Sequence, residues 1–308
     1  MIPTLRNAFT RLALVLLVLG FWTDVRAQEA APQDEDEEYA DDMAREHQSD
    51  TTAASPMVQE PMIPVTAEEV QYGTIEGEFA NGYLAAPANP DSVVEAMGTS
   101  GAALPGVIMV HEWWGLNDNV RAMARRLAGE GYRVLAVDLY GGEVASTPAE
   151  ARQLVGLAMD HPDRITQNTE AAYAYLTEEM GAPSVAVMGW CFGGGVSLQT
   201  ALALPQEIDG AIIYYGRVEG VDRDGLAKLE MPILGLFGGE DQGIPVEGVR
   251  QFEETLDELS KDAEIVVYED AGHAFANPTG QNYVPDAAED AWEKTITFLR
   301  ETLYDGEE

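Results

Sequence analysis

The 308-residue chain contains one cysteine, Cys191, and four histidines. A nucleophilic thiol and its base can therefore be sought by elimination. Cys191 sits in Gly189-Trp190-Cys191-Phe192-Gly193, behind the apolar run Val185-Ala186-Val187-Met188 and ahead of a helix-compatible stretch. A strand, a sharp turn framed by glycines and a helix form a nucleophile elbow, here with Cys in place of Ser. The helix N-terminus beneath the sulfur favours a thiolate and a developing oxyanion alike. A lone cysteine among apolar residues is otherwise an inert core side chain, and the glycine frame is what favours the nucleophile.

A thiol needs a base, and the base needs an orienting group. His47 falls in an acidic segment that reads as unstructured, and His161, in Asp160-His161-Pro162-Asp163, suits a turn or cap. His111 ends a strand and would point into the site or stabilise its loop. His273, in Ala271-Gly272-His273-Ala274-Phe275, follows the expected strand Glu264–Tyr268, where the last strand-to-helix loop delivers a histidine. The acid should follow the preceding strand. Asp241 is the candidate there, with its neighbour Glu240 as the alternative. His111-Glu112-Trp113-Trp114-Gly115 begins like a zinc-protease motif but lacks the second histidine, so neither a metal nor a cofactor is expected. Its place after an early strand suits the loop that supplies a second oxyanion donor. The backbone N–H groups of Phe192 and Trp113 are the assigned pair, each worth about 3 kcal/mol of barrier.

The elements that must position these residues follow from hydropathy. Val70–Ile75 and Phe79–Ala86 read as an antiparallel pair around Glu76-Gly77. Gly106–His111, Arg133–Leu139, Ser184–Gly189, Ala211–Tyr215, Ile233–Phe237 and Glu264–Tyr268 read as buried strands. Between them lie helical patterns at 119–130, 148–159, 164–180, 194–204, 246–260 and 287–303. Thr147-Pro148-Ala149-Glu150 supplies an N-cap, a first-turn proline and the Glu of a capping box. Strands alternating with helices imply a mainly parallel sheet with helices on both faces, an α/β class of fold.

The ends are different in kind. Arg6 and Arg11 flank the apolar run Leu12 to Trp22, and Val25-Arg26-Ala27 offers small residues for cleavage, so 1–27 reads as a secretory signal peptide and the protein as exported, periplasmic or secreted. Residues 28–64 read as an acidic disordered linker, and 65–308 as the folded domain. With 54 Asp and Glu against 17 Lys and Arg, the net charge is −37, which excludes a nucleic-acid binder. The apolar run is too short to span a bilayer, so no stable membrane insertion is expected. A monomer acting on a small molecule is the expected state. The acidic surface, with only Lys228, Lys261 and Lys294 as lysines, reads as adaptation to salt.

Together these residues resemble the dienelactone hydrolase family of α/β-hydrolases over roughly Val70 to Leu303. The resemblance rests on His111 to Asn117, Asp138-Leu139-Tyr140-Gly141-Gly142, Gly189 to Gly194, Asp241 with Pro245, and Gly272-His273-Ala274-Phe275. It implies an α/β-hydrolase fold and a triad of Cys191, Asp241 and His273 that cleaves an ester or lactone through an acyl-enzyme. It also implies that Glu112 pairs with the resting cysteine until substrate arrives. Trp114, Tyr140, Trp190, Phe275 and Asn277 would line the substrate pocket. Asn277 stands where the family's dienelactone-cleaving members place an arginine for the substrate carboxylate. The alternative is a catalytically silent exported ligand-binding protein on the same fold.

Overall fold

A computed structural model of the chain describes residues 41–97 and 103–304. The signal-peptide reading of 1–27 and the first part of the acidic segment lie outside the described residues. The strands β1 (Val65–Ile75), β2 (Glu78–Pro87), β3 (Gly106–Val110), β4 (Arg133–Val137), β5 (Val185–Trp190), β6 (Gly210–Tyr214), β7 (Ile233–Gly238) and β8 (Ala263–Tyr268) form one sheet. Its order is β1-β2-β4-β3-β5-β6-β7-β8. The six strands from β4 to β8 in that order are parallel, and β1 and β2 pair antiparallel at one edge. Every residue of β3, β5, β6 and β7 is buried. Their unbroken apolar runs are what a strand covered on both faces requires. β1 keeps partly exposed positions along its length, as an edge strand does.

Helices α1 (described over 41–46), α2 (Pro90–Met97), α3 (Asp118–Ala128), α4 (Pro148–Met159), α5 (Pro162–Ala174), α6 (Phe192–Ala203), α7 (Arg223–Leu226), α8 (Val246–Glu258) and α9 (Pro285–Leu303) complete the described fold. The α4 cap forms as its sequence specifies, Thr147 Oγ1 accepting from the Glu150 N–H at 3.2 Å. The Glu150 carboxylate reaches one residue further back than a capping box would, to the Ser146 N–H at 2.9 Å. The expected single helix over 164–180 divides instead. After Ala174 the chain widens into a π turn, Tyr175–Glu179, closed by Met180 N–H to Tyr175 O at 3.0 Å. Gly181 then takes the left-handed backbone, φ 67°, that turns the chain toward β5.

The described part of the acidic segment is not a free tether. Met43 and His47 are buried, and the stretch through residue 64 is bonded to the domain: Asp118 N–H to Thr52 O at 3.1 Å, Ser55 Oγ to Pro278 O at 3.1 Å. Averaged composition hides this, because a few side chains at one helical spacing carry the docking. Among the described residues no helix is long and apolar enough to cross a membrane.

The strand order reverses beside β3, whose neighbours are β4 on one side and β5 on the other. In open α/β sheets the crevice at such a point, at the carboxyl ends of the strands, is where ligands bind. The segments after β3 and β5 carry Glu112 and Cys191, and those after β7 and β8 carry Asp241 and His273.

Candidate active site

Cys191 ends β5 with φ 55° and ψ −118°, a left-sided backbone that a side chain rarely adopts. The strained turn is held by the Cys191 N–H to Tyr214 O bond at 3.0 Å and by the glycines around it. A Cβ at Gly189 would strike the Gly193 backbone, and one at Gly193 would strike the carbonyls of Val110 and His111. The two glycines therefore let α6 begin directly over β3 and β5. This sets the N-terminus of α6, starting at Phe192, beneath the buried sulfur.

His273 Nδ1 donates to Asp241 Oδ2 at 2.7 Å, which turns Nε2 toward Cys191. Asp241 is fixed in turn by N–H groups of Gly243 and Ile244 on its Oδ1, at 2.9 and 2.8 Å. Glu240, the alternative acid, is exposed. Burial pushes the Cys191 thiol up, but the imidazoles of His273 and His47 outweigh it and hold the thiol at about 6. Burial also opposes charge on His273, yet Asp241 and the sulfur raise it well above the usual histidine range. The proton thus favours the ring over the sulfur.

His47, set aside in the sequence as part of a spacer, stands at the site. Its Nδ1 donates to Asp50 Oδ2 at 2.6 Å, its ring lies 5.1 Å from those of Trp113 and His273, and one ring nitrogen of His47, one of His273 and the Cys191 sulfur lie within 4.8 Å of one another. Met43 Sδ is 3.7 Å from Cys191 Sγ. Met43 on the last turn of α1 and His47 and Asp50 in the turn that follows recur at spacings of four and three, a signal visible in the sequence but submerged in acidic neighbours. The segment is tied to the loop that bears the triad histidine, Asn282 Nδ2 donating to both Glu46 O and His273 O at 3.2 Å.

His111 stabilises its loop and does not enter the site. Its Nδ1 donates to Glu112 O at 2.6 Å and its Nε2 accepts from the Leu139 N–H at 3.2 Å. His161 precedes α5 without a side-chain cap bond. Glu112 takes partners other than the resting sulfur: Asn277 Nδ2 donates to it at 2.7 Å and Tyr215 Oη at 3.4 Å. Asn277 also donates to Asp50 at 3.1 Å, so it links the N-terminal segment to Glu112 where the resemblance implied a pocket wall. Trp114 Nε1 donates to the same Asp50 oxygen at 3.3 Å. Tyr140 donates to Trp113 O at 3.2 Å, which positions one assigned oxyanion residue. Phe275 is wholly buried between Tyr215 and Tyr268, and Trp190 packs on Tyr214 beside a crevice shared with Arg126 and Trp292. Both serve packing, because their rings are spent against aromatic neighbours. Arg152 pairs with Asp41 at the outer end of the segment.

Burial pushes the Glu112 carboxyl up to about 8, opposed by His47 and reinforced by Asp50. An acid raised in the folded state contributes stability that is present below its unfolded value of 4.5 and lost as pH rises through about 8. Glu112→Gln keeps the shape and cannot ionise. The difference in melting temperature, variant minus wild type, should therefore grow in favour of the variant between pH 5 and pH 9, measured by thermal unfolding at several pH values. A constant difference would show that the Glu112 carboxyl is not raised in the folded protein.

Nucleophile, acid and histidine in that order at the carboxyl ends of a parallel sheet define an α/β-hydrolase. Residues 93–303 match the dienelactone hydrolase family, and the chain belongs to that family. The "Putative carboxymethylenebutenolidase" of Saccharolobus solfataricus is 34% identical over 76% of this chain and 98% of its own. The protein of the same name in Methylorubrum extorquens is 29% identical over 81% of this chain and 87% of its own. A Klebsiella pneumoniae protein, whose crystal structure carries the same qualifier before the name dienelactone hydrolase, superposes with a TM-score of 0.66 at 26% identity over 77% of this chain and 99% of its own. The chain is thus a carboxymethylenebutenolidase-like hydrolase.

Proposed function

We propose that the protein is an exported carboxylic ester hydrolase that opens a small ester or lactone through a thioester on Cys191. The observation that carries this reading is the Asp241–His273 bond, with the other ring nitrogen within 4.8 Å of a thiol held at about 6. Cys191 attacks the carbonyl carbon as thiolate, its proton having passed to His273. The N–H groups of Phe192 and Trp113 receive the oxyanion. His273 then protonates the leaving oxygen, and in the second half-reaction it takes a proton from the water that cleaves the thioester. A silent binding protein would have no use for a depressed thiol, so the enzyme reading is favoured. Asn277 in place of an arginine supports substrates that need no carboxylate.

Cys191 is fully buried beneath Met43, so the segment bearing Met43 and His47 must move aside before an ester can reach the sulfur. A panel of small lactones and activated esters, with and without carboxylates, tests the proposal. Rapid quenching followed by peptide mass analysis should find the acyl group on the peptide containing Cys191, with a burst of one leaving group per chain for activated esters. Turnover with no adduct and no burst across the panel would remove the covalent route.

A further inference from the structure

Hydrolysis has a chemical step for His273 and Cys191 but none for the second imidazole, which only lowers the thiol, or for the thioether beside them. Four donor atoms converge from three separate parts of the chain: Met43 Sδ and His47 Nε2 from the N-terminal segment, Cys191 Sγ from the elbow, and His273 Nε2 from the loop before α9. Both Nε2 atoms are shut off from solvent and, among the described residues, have no nitrogen or oxygen partner; the polar atom beside them is the Cys191 sulfur. Two buried ring nitrogens turned on one sulfur can share an ion with it. Each ring is oriented from its other nitrogen by a carboxylate, His273 by Asp241 at 2.7 Å and His47 by Asp50 at 2.6 Å. Asp50 is itself held by Trp114 and Asn277. Carboxylates that set the tautomer and aim a histidine are the usual second layer around a metal ion.

We propose that Met43, His47, Cys191 and His273 form a binding site for a single copper ion. Two imidazoles, a thiolate and a thioether are a soft set. Imidazole alone suits several late metals, whereas thiolate with thioether selects copper, above all Cu(I), and no hard oxygen donor competes within the cluster. The three nitrogen and thiol donors already lie within 4.8 Å of one another, and the two sulfurs 3.7 Å apart. A contraction of about 1 Å closes them to the separations of a three- or four-coordinate ion with bonds of roughly 2.0–2.3 Å. Uptake balances: Cu(I) binds the thiolate, the rings release the Nε2 protons they hold beside it and donate the freed lone pairs, and those protons leave to solvent. No oxidation is involved. The ion would fill the space that the attacking carbonyl needs, so copper-loaded and hydrolytic forms exclude one another. It would also pin the N-terminal segment onto the domain.

The site shares Cys191 and His273 with the hydrolase reading but does not depend on turnover, and its test is read without a substrate. Full chain is titrated anaerobically with Cu(I) held by a chromophoric chelator such as bicinchoninate, which keeps surface carboxylates from contributing. The expected result is one Cu(I) withdrawn per chain and protection of Cys191 from iodoacetamide. His47→Gln and Met43→Leu should each weaken affinity at least about tenfold, and Asp50→Asn, which only loosens His47, by about 10- to 100-fold at most. Met43→Leu conserves volume and guards against a variant that merely fails to fold. Added Cu(II) should give a sulfur-to-copper charge-transfer band that Cys191→Ser lacks. No stoichiometric uptake would overturn the proposal. So would equal affinity in wild type, His47→Gln and Met43→Leu, or tighter retention of Zn(II) than of copper against matched chelators.

Discussion

Cys191→Ala should lower kcat/KM for activated esters and lactones by about 10⁵- to 10⁶-fold, the scale on which removal of a covalent nucleophile acts when the rest of its machinery is left in place. The elbow gives the sulfur no substitute. Its φ of 55° aims this one side chain over the start of α6, and the chain has no other thiol. Residual rate would come from the oxyanion donors and from binding. The fold should survive. The residue is buried beside Met43, and loss of one sulfur costs about 1 kcal/mol or less of packing, a shift of a few degrees in Tm. Steady-state kinetics beside thermal unfolding separates the two effects, and turnover within tenfold of wild type on a folded variant would place the chemistry elsewhere.

Asp241→Asn should lower kcat by about 10⁴-fold, although it changes one atom. In the wild type the carboxylate accepts from His273 Nδ1 at 2.7 Å and leaves Nε2 free to take the thiol proton. An asparagine that keeps its oxygen toward the Gly243 and Ile244 N–H groups must present its NH2 to the histidine. Nδ1 then becomes the acceptor, the proton moves to Nε2, and the base is lost. The charge that favours imidazolium goes with it. The midpoint for alkylation of Cys191 should therefore rise from about 6 toward the ordinary thiol range near 8.5, slowing labelling at pH 7. Glu240→Gln, at an exposed position next door, should move neither quantity. A pH profile of iodoacetamide labelling for the three proteins decides it, and an unchanged midpoint in Asp241→Asn would mean the acid does not act through His273.

Much of this site is written in local chemistry. Gly189 and Gly193 announce the elbow because only residues without a Cβ let α6 begin against the backbone of β3 and β5, a constraint that acts within five residues. The order of Cys191, Asp241 and His273 follows from which strand each one ends, and unbroken apolar runs mark those strands. The divided helix at 174–179 was not legible in this way. Apolar spacing does not distinguish an α turn from a π turn, which is settled by how the chain must meet β5.

The N-terminal segment marks the division most clearly. Its acidity and scarcity of large apolar residues describe it correctly on average, and the average points to a tether. What composition cannot carry is that Met43, His47 and Asp50 share one short face, and that loops ending β3, β5 and β8 present a thiol, two tryptophans and an asparagine at the matching distance. By itself, the sequence determined the fold class and singled out Cys191 and His273 as the candidate nucleophile and base, because period, glycine placement and strand order are local properties. Only the tertiary structure decided that a second histidine reaches the nucleophile from about 150 residues away, because that contact depends on long-range docking of a few buried polar side chains, for which no local pattern is required.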